Sequence, residues 1–227
     1  MAKIKRQKLV SPVAPAMWPK LNRPDTKFKK EGEYSVQLRF DPKNNEDHKA
    51  FLASVKEAED AAHAKARRDE GDDDLKLAPS VIKPVKEKDE STGKKVATGL
   101  YDVKFGMKAT VTPRNGEPFT QRPTLFDSKR NILPPDKVQV GHGSELKIAA
   151  VVNPWYTAAL GAGVSLWLDG VMVMKLVEPG NKSADELFGA ADDIDDDTDG
   201  FTYTETAVAS TAFNEGADDS PEDEEDF

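Results

Sequence analysis

Cysteine is absent from this 227-residue chain, which excludes disulfides, thiol catalysis and cysteine-held iron–sulfur clusters, and is compatible with a reducing cytoplasm. Histidine is scarce too. His48, His63 and His142 stand far apart in the sequence, too few donors for a zinc site without thiolates, so neither metal nor cofactor is expected. No stretch approaches the ~18 apolar residues of a membrane helix. The basic start Met1–Pro12 is not followed by an apolar run of signal length. Neither a phosphate-binding G-x-x-x-x-G-K-[ST] run nor a nucleophile-elbow G-x-S-x-G occurs. The turn 141–144 (GHGS) sets one His beside one Ser with no geometry for a triad, and its glycines read as backbone freedom at a strand start, with His142 exposed. An enzyme is not expected.

What the chain has in excess is charge, sharply separated. From Glu178 onward there are eighteen acidic residues against one Lys, whereas residues 1–177 hold 31 basic against 23 acidic. A basic body is thus tied to its own polyanion. Like-charge blocks of this kind stay disordered, and a purely solubilising tail is the bland reading of 181–227. The terminal run Glu222, Asp223, Glu224, Glu225, Asp226 ends on Phe227, an apolar anchor that solubility does not require. Residues 195–200 (DDDTDG) begin like a calcium loop, but position 12 is Thr206 and no helical pattern flanks it, so calcium is not expected.

Taken in order, residues 1–30 hold nine basic residues and one acid, with Pro12, Pro15, Pro19 and Pro24 spread among them. This predicts an extended arm, packed through Met17, Trp18 and Leu21, and argues against a central strand. Residues 33–40 (EYSVQLRF) alternate as a half-buried strand with Tyr34, Val36, Leu38 and Phe40 inward. Residues 46–68 predict a helix, capped by Asn44 or Asn45, with acids in its first turn and Arg67 and Arg68 in its last. His48 and His63 fall off its apolar stripe and are expected on the surface. A loop follows, with 83–88 (KPVKEK) its least ordered part. From Gly99 the chain is strand-like: 100–111 places Val103 and Phe105 on one face and Lys104, Gly106 and Lys108 on the other. Residues 145–152 point Leu146, Ile148, Ala150 and Val152 inward and Lys147 outward. Residues 153–163 read as a small-residue loop carrying Trp155 and Tyr156. Residues 164–177 read as one long strand, or two joined at Asp169-Gly170. Five or six mostly antiparallel strands and one helix predict a small all-β barrel.

Nonspecific binding of a single strand needs cations for phosphates and exposed rings for bases. The candidate cations are Lys104, Lys108, Arg114, Arg122, Lys129, Arg130 and Lys147. The candidate rings are Trp18, Phe119, Trp155, Tyr156 and Trp167, with Trp155 and Tyr156 preferred because two adjacent rings in a Gly/Ala loop are hard to bury together. Each ring is otherwise a core residue, and Trp167 is either a platform or packs under the helix. The competing class is an acidic-tailed chaperone or scaffold holding a basic protein client. A capsid component is a weaker third.

The sequence also resembles the single-stranded DNA-binding proteins of T7-like bacteriophages. The resemblance rests on 126–131 (FDSKRN), 141–148 (GHGSELKI), 152–176 (VNPWYTAALGAGVSLWLDGVMVMKL) and the acidic tail ending in Phe227. It covers roughly residues 30–180 and the last ten. It implies a five-stranded OB-fold barrel with an inserted long helix over 31–180, a homodimer, and location in the cytoplasm of the infected bacterium. It also implies tail contacts to the phage DNA polymerase and primase–helicase, with roles in replication, recombination, repair and strand annealing. The arm at 1–30 is more basic than that pattern, and the nearly uncharged stretch 200–213 interrupts the acidic region.

Overall fold

The computed structural model describes residues 7–180 apart from Phe28, Glu90 and Arg114. Strand β3 (Glu33–Phe40) alternates as its sequence dictates, burying Tyr34, Val36, Leu38 and Phe40. Helix α1 (Glu46–Glu70) starts where the Asn45 side chain accepts from the amides of Asp47 and His48, and ends at Gly71 in the left-handed conformation. Its stripe of Phe51, Leu52, Val55, Ala58 and Ala62 joins the core, where the Phe51 ring lies 5.0 Å from Phe40 and 6.5 Å from Phe105.

The remaining strands are β1 (Lys8–Val10), β2 (Ala14–Asp25), β4 (Ile82–Lys88), β5 (Lys95–Lys108), β6 (Thr110–Val111), β7 (Phe119–Thr120), β8 (Thr124–Phe126), β9 (Glu145–Thr157) and β10 (Gly161–Lys175). Together with β3 they form one mixed sheet, save for the small β6–β7 pair. Neighbours run β1-β9-β2-β3-β5-β10-β8, β9 also pairs with β10, and β4 extends beside β5. Most pairs are antiparallel, whereas β10 runs parallel to β5 and to β8. This mixed sheet with its inserted helix is in keeping with an OB-fold-like architecture.

Several expectations are corrected by this arrangement. Residues 14–25, expected as an extended arm packed on the body rather than a central strand, are a strand held between β9 and β3. The prolines are tolerated because the ladder is irregular around them: the register shifts between Met17 and Lys20, which brackets Pro19, and between Lys20 and Asp25, which brackets Pro24. Met17 and Leu21 are buried, while Trp18 points out. Residues 82–88 are likewise ordered as β4, an edge strand whose single proline, Pro84, and lysines suit its one-sided pairing.

The expected loop at 153–163 is mostly strand, since β9 continues to Thr157 and only residues 158–160 turn before β10. β10 is a single strand with a register shift between Leu168 and Gly170. His48, expected on the surface, is 7% exposed. The Asp41 amide donates to its Nδ1 at 3.0 Å, which leaves the proton on Nε2 to reach the Val13 carbonyl at 3.0 Å. Its ring meets Phe40 edge-on. A helical stripe drawn from apolar residues alone misses such a histidine.

Candidate nucleic-acid interface

On the outer face of the sheet one line of register crosses six strands. Lys20 on β2 stands beside Ser35 on β3, Ser35 beside Gly106 on β5, Gly106 beside Trp167 on β10, Trp167 beside Val151 on β9, and Val151 beside Lys8 on β1. Gly106, at the middle of the line, has no side chain, and the Glu33 carboxylate takes the space that a Cβ would need, 2.9 Å from its place. A groove of about 1180 Å³ runs over the Gly106–Trp167–Val151–Lys8 part of this line, with Lys8, Lys29, Lys83, Lys104 and Lys108 on its borders and Glu33 and Asp169 among them. Trp167 lies in it, 42% exposed, as do Phe119 and Met107.

Two acidic groups tune that charge. Glu33 takes Lys29 at 2.6 Å and Lys104 at 3.2 Å, and Asp169 takes Lys8 at 3.6 Å. Partial burial pushes the Glu33 carboxyl upward, but the Lys29 hydrogen bond and the Lys104 charge outweigh it, so the group sits below the usual carboxylate range. Across β3 and β5, Arg39 donates twice to Asp102, at 2.9 and 3.0 Å, and locks that pair of strands beside the groove. The far wall is pinned by Glu59 on α1, a buried carboxylate that accepts from the Ser80 hydroxyl at 2.8 Å and the Val81 amide at 2.7 Å.

The residues singled out from sequence are placed unevenly. Lys104 and Lys108 line the groove with Gly106 between them. Arg122 is exposed just past β7, outside the groove lining. Lys129 and Arg130 are exposed in the turn after β8, where Asp127 accepts from the amides of Lys129 and Asn131 and Arg130 takes a φ of 69°. Lys147 is exposed but lines a separate, shallower depression of about 430 Å³ beside Asp47, Ala50 and Ser54 of α1. Trp155 is half-buried, its indole covering Gly163, where any Cβ would come within 2.8 Å of the ring. Tyr156 is 38% exposed near the tip of the β9–β10 hairpin. Arg114 and the tail residues Asp223, Glu224, Glu225, Asp226 and Phe227 lie outside the described residues.

Sequence reasoning did not single out Lys8, Lys29 and Lys83. The first two sit in the basic N-terminal stretch and the third in the expected loop, and only the pairing of β1 with β9 and of β4 with β5 brings Lys8 and Lys83 to Lys104.

A cationic groove with a ring in its floor defines a class, proteins that can hold an anionic, base-bearing chain. Comparison with known proteins narrows that class. The family model described as single-stranded DNA-binding protein of bacteriophage T7 matches residues 12–176. The chain belongs to that family.

Among solved structures it is similar to gp2.5, a single-stranded DNA-binding protein encoded by bacteriophage T7. The TM-score is 0.62 at 21% identity, covering 88% of this chain and all of that one. It is also similar to the single-stranded DNA-binding protein from bacteriophage Enc34, with a TM-score of 0.51 at 16% identity, covering 78% of this chain and 86% of that one. No curated protein sequence matches the chain. Among the described residues no helix is long and apolar enough to cross a membrane.

Proposed function

We propose that the protein holds single-stranded DNA in the groove across β3, β5 and β10, without reading sequence, and serves phage DNA replication, recombination and strand annealing in the infected cell. The observation that carries this is the row Lys20–Ser35–Gly106–Trp167–Val151–Lys8 with Lys104 and Lys108 beside it. Lysines take phosphates as point charges, and a ring accepts any base on its face. Five strands, β2, β3, β5, β10 and β9, pair in a circuit that returns to β2, which supports reading the core as a closed OB barrel.

The test is a salt titration of oligodeoxythymidine binding to the full chain. The expected result is an affinity that falls as salt rises, with a slope of about −0.7 per neutralised phosphate, and much weaker binding to duplex. Affinity indifferent to salt, or equal for duplex, overturns the reading. Capture of a basic protein that survives nuclease, with no response to oligonucleotide, favours a chaperone or scaffold instead.

The acidic tail supports a second step, resting on charge and on the family resemblance. Residues 218–227, with Asp223 to Asp226 and the Phe227 anchor, compete with DNA for the basic body and, once displaced, recruit the phage DNA polymerase and primase–helicase to a homodimer. Deleting 218–227 should tighten DNA binding and abolish polymerase capture. No change in either sinks the proposal.

A further inference from the structure

Trp18 is the most exposed large apolar side chain among the described residues, at 71%. It also carries a φ of +51°, a left-handed conformation that a bulky side chain resists. Its neighbours Met17 and Leu21 are buried, so the strand turns inward on both sides of an indole that it sends out. The bulge between Met17 and Lys20 makes this turn possible.

The conformation is held from behind. The Trp18 ring lies 4.7 Å from the imidazole of His142, tilted by 42°, and its amide points at His142 Nδ1 at 3.4 Å. The 141–144 turn that carries His142 is itself tied to β2: Gly143 donates to the Ala16 carbonyl and the Ala16 amide donates to Ser144, both at 2.8 Å. A strained aromatic kept in solvent by a dedicated support is poorly explained by packing, and such outliers gather at ligand clamps. Its surroundings say what it meets. Lys20, two residues on, is the β2 end of the groove's cross-strand row, three strand spacings or about 14 Å from Trp167. Arg23 lies further along the same strand, partly open to solvent.

We propose that Trp18, backed by His142, is a second base-stacking subsite, which takes a nucleobase of the single strand where it leaves the groove over β3 and β2. This rests on the groove holding single-stranded DNA. A strand long enough to pass Lys20 engages the ring, and a short one confined to the middle of the groove does not.

The experiment compares the full chain with Trp18→Ala, Trp18→Phe and His142→Ala, using oligodeoxythymidines of about 4 and about 16 nucleotides. The expected result is a loss of roughly fivefold or more in affinity for the longer oligomer with Trp18→Ala. The shorter one should bind unchanged, Trp18→Phe should recover part of the loss, and His142→Ala should lose less than Trp18→Ala. Tryptophan quenching by the longer oligomer should also fall in Trp18→Phe.

Equal affinities for Trp18→Ala and wild type on both lengths overturn the subsite while leaving the groove standing. An equal loss on both lengths also overturns it, since the ring would then be shaping the groove itself. A change in sedimentation of the DNA-free protein with no change in DNA binding assigns Trp18 to a protein contact instead. If the wild type binds neither oligomer, the reading of the groove falls first and this one with it.

Discussion

Trp167 and Trp155 lie on facing strands of one hairpin, β9 and β10, on the same side of the sheet, yet they meet different surroundings. Trp155 leans across the hairpin onto Gly163, and Ala78 closes on the same glycine. Trp167 stands beside Gly106 and among the groove lysines, exposed to solvent. The difference lies in the partner strand. An indole over a glycine on its own hairpin finds a packing seat, whereas the indole at the β5–β10 junction opens into the groove. Cations divide in the same way. Lys104 and Lys108 share the groove with Lys8, Lys29 and Lys83, while Lys129 and Arg130 sit on a turn outside its lining.

Charge reversal should break this comparison most severely. Lys104→Glu with Lys108→Glu is expected to lower single-strand affinity by about a hundredfold or more and to flatten the salt slope by about 0.7 per lysine removed. The matched pair Lys129→Glu and Arg130→Glu should cost far less. Equal losses from the two pairs would show that overall charge matters and the groove does not.

The two indoles should then separate by readout. Trp167→Ala is expected to cost about 1–3 kcal/mol of DNA binding with little effect on melting. Trp155→Ala should lower the melting temperature, because no ring would then cover Gly163, and leave binding nearly intact. Parallel titration and thermal unfolding of both variants check this, and a reversed pattern would place the platform at the hairpin tip.

The smallest effect belongs to Glu33. Its carboxyl is held below the usual range, so the unfolded chain binds that proton more readily than the folded one. Its stabilising contribution is therefore complete above the ordinary carboxylate pKa of about 4.3 and is lost as pH falls through the lower folded value. Glu33→Gln should remove that part of the acid sensitivity. It should also raise DNA affinity by a fewfold, because Lys29 and Lys104 lose a resident anion. Unfolding curves across acid pH, with binding at neutral pH, would detect both.

Much of the local structure is legible in the sequence. The period-two runs at 33–40 and 145–152 and the capped run at 46–68 specify their own elements, because alternation and capping act over a few residues. Lys104 and Lys108 are legible as a pair for the same reason, lying four apart on one strand with Gly106 between. The prolines of β2 mislead, since a bulged ladder accommodates them and nothing within four residues announces the bulge. Trp167 hangs between two roles in the sequence because alternation gives its face but not its neighbour Gly106.

The amino-acid order by itself determined the separation of a basic body from an acidic end, the lack of cysteine and of clustered histidine, and the inward face of each strong strand. These are properties of composition and short-range periodicity, and they need no partner segment. Only the tertiary structure decided that Lys8, Lys29, Lys83 and Lys104 border one groove, that Trp167 rather than Trp155 lies in it, and that Trp18 is held outward on His142. Each depends on which strands pair and in what register, and that is set by burying Phe40, Phe105, Ile148 and Leu168 together in one core.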